Sequence, residues 1–81
     1  MGSLLYYPHM ARKNDGKIYI ELGNKLRKAR EDVRLTQAEV AKTAGINVSY
    51  YAEIERGEVN PTYVKLQAIM RALNIKSLDI S

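Results

Sequence analysis

The stretch that most constrains this chain is residues 35–57, LTQAEVAKTAGINVSYYAEIERG, because it reads as two short helices joined at one glycine. Thr36 stands three residues before Glu39, the spacing of a capping box. In that device the threonine hydroxyl accepts from the N3 amide and the glutamate reaches back to the N-cap amide. Leu35 before the cap and Val40 at N4 form the apolar pair of a hydrophobic staple. Gly45 falls just past the helix end, where a left-handed residue is needed and any Cβ is penalised. The device then repeats. Asn47 is the N-cap candidate, Ile46 and Tyr51 are a second staple, and Gly57 closes the helix. Helix 2 is therefore expected from about Gln37 to Ala44 and helix 3 from about Val48 to Arg56. Val40, Ala41 and Ala44 face inward on the first; Tyr51 and Ile54 share a buried stripe with Ile46.

The flanks carry the same helical period. Leu22, Leu26, Ala29 and Val33 fall at i, i+4, i+7 and i+11, which predicts a first helix from Ile18 to about Asp32. Gly23 costs that helix roughly 1 kcal/mol relative to Ala, and a close helix–helix approach is a reason to tolerate it. Leu66, Ile69, Met70 and Leu73 follow i, i+3, i+4 and i+7, the strongest amphipathic pattern in the chain, and read as core. Thr62 can cap that helix, although Asn60 as cap with Pro61 at N1 is also allowed. Asn74 ends it. Ser77 can cap a last turn containing Leu78 and Ile80.

Eighty-one residues make one domain, near the lower end for a core that folds alone. There is no cysteine, hence no disulfide framework and no thiolate zinc site, which fits a reducing cytosol. No apolar run approaches a membrane span. Residues 1–17 read as an arm: Leu4, Leu5, Tyr6 and Tyr7 form a short apolar run, Pro8 breaks it, and residues 12–16 are polar and turn-like. The arm does not read as a signal peptide and is expected to be a disordered tail or an added, non-native segment ahead of a natural start at Met10, in preference to a basic DNA-grasping arm or a pairing strand. Net charge is +4, which suits a polyanion but selects for one only weakly. An enzyme has little to stand on. The one histidine, His9, lies in the arm, and there is no metal-ligand cluster, no nucleophile with a base and no glycine-rich phosphate loop. Glu53 and Glu55 are two apart on a helix and face away from each other. No cofactor and no metal is expected.

Two helices meeting at a glycine turn are the helix-turn-helix arrangement, whose second helix enters the major groove of DNA. Ala41, Gly45 and an apolar residue six further on, Tyr51, match its spacing. With LTQAEVA (35–41), IERG (54–57) and NPT (60–62), the chain resembles the Cro/phage-repressor-type family of DNA-binding domains over about residues 18–80. Tyr51 stands where Val or Ile is more frequent, and Ala52 where a small polar residue is. The resemblance implies an all-α, compact five-helix lambda-repressor-like domain, with a fifth helix of at most one or two turns here. It implies that Arg30 pairs with Glu55, tying helix 1 to helix 3 in a structural role. It implies base contacts from Asn47, Val48, Ser49, Tyr50 and Glu53, and a phosphate contact from Gln37.

The chemistry of those side chains fits in part. Asn47 is a cap and a candidate base reader. Val48 suits a thymine methyl, Ser49 discriminates weakly, Tyr50 suits the backbone or a methyl group, and Glu53 can accept from cytosine N4. No Arg or Gln sits at the reading tip, so specificity is expected to rest more on apolar contacts, shape and dimer spacing. Gln37 opens helix 2, where free amides and the helix dipole favour an anion. Arg56 ends helix 3 and can reach the DNA backbone or pair locally; Asn60 and Thr62 are further phosphate candidates, with Tyr63 a weaker one.

The expected function is a cytoplasmic transcriptional regulator, bacterial, archaeal or phage-encoded, that binds palindromic double-stranded DNA as a homodimer. The dimer surface is expected at Leu78, Ile80 and the end of helix 4, with the Leu4–Tyr7 run second. The rival is an interaction module, such as the antitoxin partner of a toxin or a protein-bound coactivator.

Overall fold

The computed structural model describes the backbone of residues 2–76 and the side chains of residues 16–76. It contains four helices among the described residues: α1 (Gly2–Asp32), α2 (Gln37–Ala44), α3 (Val48–Glu55) and α4 (Tyr63–Ala72). The fifth helical turn expected at Ser77, Leu78 and Ile80 lies outside them, as do the side chains of Leu4–Tyr7 and His9. α2 packs on α3 and α4, and α1 packs on α3. Leu22 and Leu26 of α1, Val40 and Ala41 of α2, Tyr51 and Ile54 of α3, Ile69 of α4 and its cap residue Leu73 form one buried cluster. Every one of these positions comes from the apolar stripe of its helix, so burial follows from the 3.6-residue period.

One helix boundary and one position of the apolar stripe differ from the periodicity. The backbone of residues 2–17 is helical and continuous with α1, where an irregular arm broken at Pro8 and a helix start at Ile18 were expected from the turn-forming residues. Gly, Asn and Asp each cost a helix interior about 1 kcal/mol or less, and Pro8 costs about 3 kcal/mol and one i→i−4 bond; no local preference of these residues accounts for the continuation. Val33 is 47% exposed and does not extend the stripe of Leu22, Leu26 and Ala29. α1 ends at Asp32 and Arg34 turns left-handed with φ 61°, so the face that would have buried Val33 rotates away.

All four described helices stop in the same manner. The residue in the left-handed conformation is Arg34, Gly45, Gly57 or Asn74 in turn, with φ between 60° and 77°. Its amide bonds back three residues, and the next amide bonds back five, at 2.9–3.2 Å. This is the Schellman pair, which satisfies carbonyls the helix itself leaves open. The following residue is apolar and half-buried at Leu35, Ile46 and Ile75, so each stop also folds the chain back onto the core.

The helix starts are equally local. Thr36 and Glu39 form both halves of the capping box, with Glu39 N to Thr36 Oγ1 at 3.1 Å and Thr36 N to Glu39 Oε1 at 2.7 Å. Asn47 Oδ1 accepts from the Ser49 and Tyr50 amides. Thr62 caps α4 by accepting from the Lys65 amide. Thr62 and not Asn60 is thus the cap, and Pro61 is buried just ahead of it.

Candidate nucleic-acid interface

The C-terminal half of α3 is clamped to α1. Tyr51 and Ile54 are fully buried and Glu55 is 4% exposed. α1 crosses this half at Gly23, where an added Cβ would lie 2.5 Å from the Ile54 carbonyl oxygen and against that of Glu55. Only a residue without a Cβ allows the two backbones so near. The turn after α3 makes a second close approach. Gly57 has φ 77°, and a Cβ there would lie 2.7 Å from Ile20 Cγ1.

Glu55 anchors a buried polar network at this crossing. Arg30 Nε donates to Oε2 at 2.7 Å and Nη2 donates to Oε1 at 3.1 Å, a two-point guanidinium–carboxylate pair. Arg30 Nη1 donates to the Leu35 carbonyl at 2.9 Å, and Gln37 Nε2 donates to Glu55 Oε1 at 2.9 Å. One carboxylate therefore ties together α1, the α1–α2 turn, the first residue of α2 and the end of α3. Burial works against its charge, yet the hydrogen bonds led by Arg30 outweigh that and hold its carboxyl below the usual range. Burial, then the adjacent Glu55, pushes the Tyr51 phenol up. The Tyr51 hydroxyl is the one buried side-chain polar atom without a hydrogen-bond partner among the described residues.

With its far half held, α3 presents its N-terminal half outward. Asn47, Val48 and Ser49 are exposed, Val48 by 43%. Tyr50 and Glu53 are half-buried. Tyr50 packs against the core cluster, and the Lys65 ammonium of α4 sits 4.8 Å from its ring centroid. The five expected base readers thus divide: three lie free on the tip, while Tyr50 and Glu53 sit partly behind them. Asn47 uses its Oδ1 as the cap, which leaves its amide NH₂ for a ligand.

The expected phosphate residues also divide. Gln37 donates one N–H to Glu55 and keeps a second. α3 stops at Glu55, one position short of the expected end, so Arg56 is its cap residue, and the Arg56 guanidinium is held by Glu58 at 2.8 and 3.0 Å. Asn60 is exposed; the Thr62 hydroxyl is engaged as the α4 cap. Lys65 was absent from the candidates suggested by sequence. Both Tyr50 and Lys65 stand three residues past a cap, at Asn47 and Thr62, but nothing in sequence spacing says that the two helix starts meet.

Among the described residues no group of His, Cys, Asp and Glu is placed to hold a metal ion, and no helix is long and apolar enough to cross a membrane.

Comparison with known proteins adds three findings. The sequence model of a family described as helix-turn-helix matches residues 26–80. The immunity repressor protein of Bacillus phage phi105 is 36% identical over 55 residues, which cover 68% of this chain and 38% of that repressor. The chain thus spans well under half of that relative's length. An uncharacterised HTH-type transcriptional regulator, y4dJ, of Sinorhizobium fredii is 30% identical over 59 residues, covering 73% of this chain and 77% of the relative. Among solved structures, the restriction-modification controller protein C.AhdI from Aeromonas hydrophila superposes with a TM-score of 0.70 at 31% identity. That superposition covers 72% of this chain and 88% of the controller.

Proposed function

This chain belongs to the helix-turn-helix family of repressor-like, DNA-binding transcription regulators, and from that premise we propose that it is a sequence-specific regulator that places residues 48–56 in the major groove of double-stranded DNA. The observation that carries the proposal is the asymmetry of α3. Its far half is locked by Gly23, Ile54 and the Arg30–Glu55 pair. Its near half leaves Asn47, Val48 and Ser49 in solvent. A rigid helix with a free polar tip is what groove reading requires, because base edges are read by short side chains whose positions are fixed from behind. Gln37, at the start of α2, and Asn60, ahead of α4, flank the tip in sequence as the phosphate-positioning residues. In the same reading the protein acts as a homodimer on a palindromic operator, since one such module reaches few bases and a two-fold pair matches two half-sites.

A salt titration of binding to random duplex, and to duplex selected by the protein from a random pool, tests this. A regulator with about 6–10 phosphate contacts loses about 10³–10⁵ in affinity between about 50 and 200 mM salt. Gln37→Ala should weaken all sequences alike, whereas Ser49→Ala should relax preference at one base position. Equal losses on every sequence from both variants would remove Ser49 from the reading set. No binding at either salt would sink the regulator and favour a protein-interaction module, such as an antitoxin, on the same fold.

A further inference from the structure

The reading helix carries no cation of its own. Its sequence, VSYYAEIE, holds two glutamates and no basic residue, and Arg56, just past its end, is neutralised by Glu58. A surface that meets a polyanion needs positive charge close to its tip. The structure supplies one from another element. Lys65, in the first turn of α4, is exposed and makes no ion pair among the described residues. Its ammonium lies 4.8 Å from the centroid of the Tyr50 ring. Tyr50 in turn rests on the core, and its backbone amide is held by the Asn47 cap. The ring is therefore a fixed surface, and the cation above it is attracted to the negative face of the π system. An otherwise flexible four-carbon stem is thereby held beside the start of α3.

We propose that Lys65 is a phosphate contact of the DNA-binding surface, and that Tyr50 is the platform that aims it and not a reader of bases. The inference rests on the DNA-binding reading above and deepens it. Three features separate it from a role for Tyr50 in base recognition. One face of the ring is covered by the ammonium. The residue is half-buried where Asn47, Val48 and Ser49 are exposed. The partner that approaches it is a cation, which the DNA backbone attracts and which carries no sequence information when it binds phosphate.

The test uses the unaltered chain with Lys65→Gln, Tyr50→Leu, Tyr50→Phe and the Lys65→Gln/Tyr50→Leu double variant. Each is titrated against random duplex and against duplex selected from a random pool, across a range of salt. Lys65→Gln should weaken both duplexes by the same factor and flatten the slope of log K against log salt by about 0.9. The loss of affinity between about 50 and 200 mM salt then shrinks by roughly threefold. Tyr50→Leu should weaken both duplexes alike, and the double variant should be no worse than Lys65→Gln alone, because both changes remove one contact. Tyr50→Phe keeps the ring and should bind like the unaltered chain at every salt. A Tyr50→Phe or Tyr50→Leu variant that changes preference at a single base position overturns the platform role. An unchanged salt slope in Lys65→Gln, with the unaltered chain binding normally, overturns the phosphate contact alone. Failure of the unaltered chain to bind any duplex overturns the DNA-binding reading and this inference with it.

Discussion

Replacing Gly23 by Ala sets two effects of opposite sign against each other. Within an isolated helix the change is favourable by about 0.8–1 kcal/mol, since Ala is the best helix former and Gly among the worst. In the folded chain the new Cβ would lie 2.5 Å from the Ile54 carbonyl oxygen, with the Glu55 carbonyl carbon at 2.7 Å. Both neighbours are backbone atoms at the end of α3, so no side-chain rotation relieves the clash. The crossing must open by roughly 0.5 Å or more before contacts become repulsion-free. Opening it pulls Glu55 from Arg30, whose Nε–Oε2 distance is now 2.7 Å. Overpacking of this kind costs about 1–3 kcal/mol, and strain on the ion pair places Gly23 toward the upper end. The net effect is a destabilisation of about 1–2 kcal/mol, or a fall in melting temperature of roughly 5–15 °C for a domain of this size. Gly16 is the internal control. It lies in the same helix with nothing within 4 Å of where a Cβ would go, so Gly16→Ala should raise the melting temperature by a few degrees, about the helix-propensity gain alone. Thermal unfolding followed by far-ultraviolet circular dichroism reads both. If Gly23→Ala stabilises the chain as Gly16→Ala does, the close crossing of α1 and α3 is wrong, and with it the mechanism that fixes the reading helix.

Glu55 should give the folded state an acid-side pH dependence. Its folded carboxyl titrates below the ordinary 4.5, so its stabilisation is complete at neutral pH, begins to fade as pH drops below that value and is gone once pH has passed the folded value. Glu55→Gln should flatten this part of the profile and cost about 3 kcal/mol at neutral pH by leaving Arg30 without its anion; melting midpoints unaffected at neutral pH would show that the pair contributes nothing. Arg34→Gly should stabilise the chain by a few tenths to about 1 kcal/mol, because the left-handed conformation at φ 61° penalises a Cβ and this relief exceeds the added freedom of the unfolded chain. A lower urea midpoint for that variant would contradict the argument.

The parts of this molecule legible in the sequence are those set by neighbours along the chain. The capping box of Thr36 and Glu39, the Asn47 cap and the left-handed glycines at 45 and 57 involve residues at most five apart, so their chemistry is visible without the fold. The apolar period likewise marked Leu22, Leu26, Ile54, Ile69 and Leu73 for the core. The Arg30–Glu55 pair spans 25 positions, and it was family resemblance, not spacing, that suggested it. Val33 shows the limit of periodicity: it continued the pattern but not the helix, because the left-handed Arg34 lies beyond what an apolar period can detect. Arg56, at the end of helix 3, reads in sequence as reaching the DNA backbone or pairing locally, and its guanidinium bonds Glu58 two residues away.

Sequence alone determined that four segments would coil, where α2 and, to within one residue, α3 would start and stop, and which stripe each would bury, because caps, left-handed stops and a 3.6-residue period act over a few residues. Tertiary structure alone decided which backbones touch and which side chains that contact recruits. Gly23 is a weak helix residue until α3 lies across it. Gln37 is a helix-start amide until Glu55 arrives beside it, and Lys65 is one lysine among several until α4 carries it over Tyr50. Each of these depends on distances between segments far apart in the chain, which packing of the whole core sets and no local preference encodes.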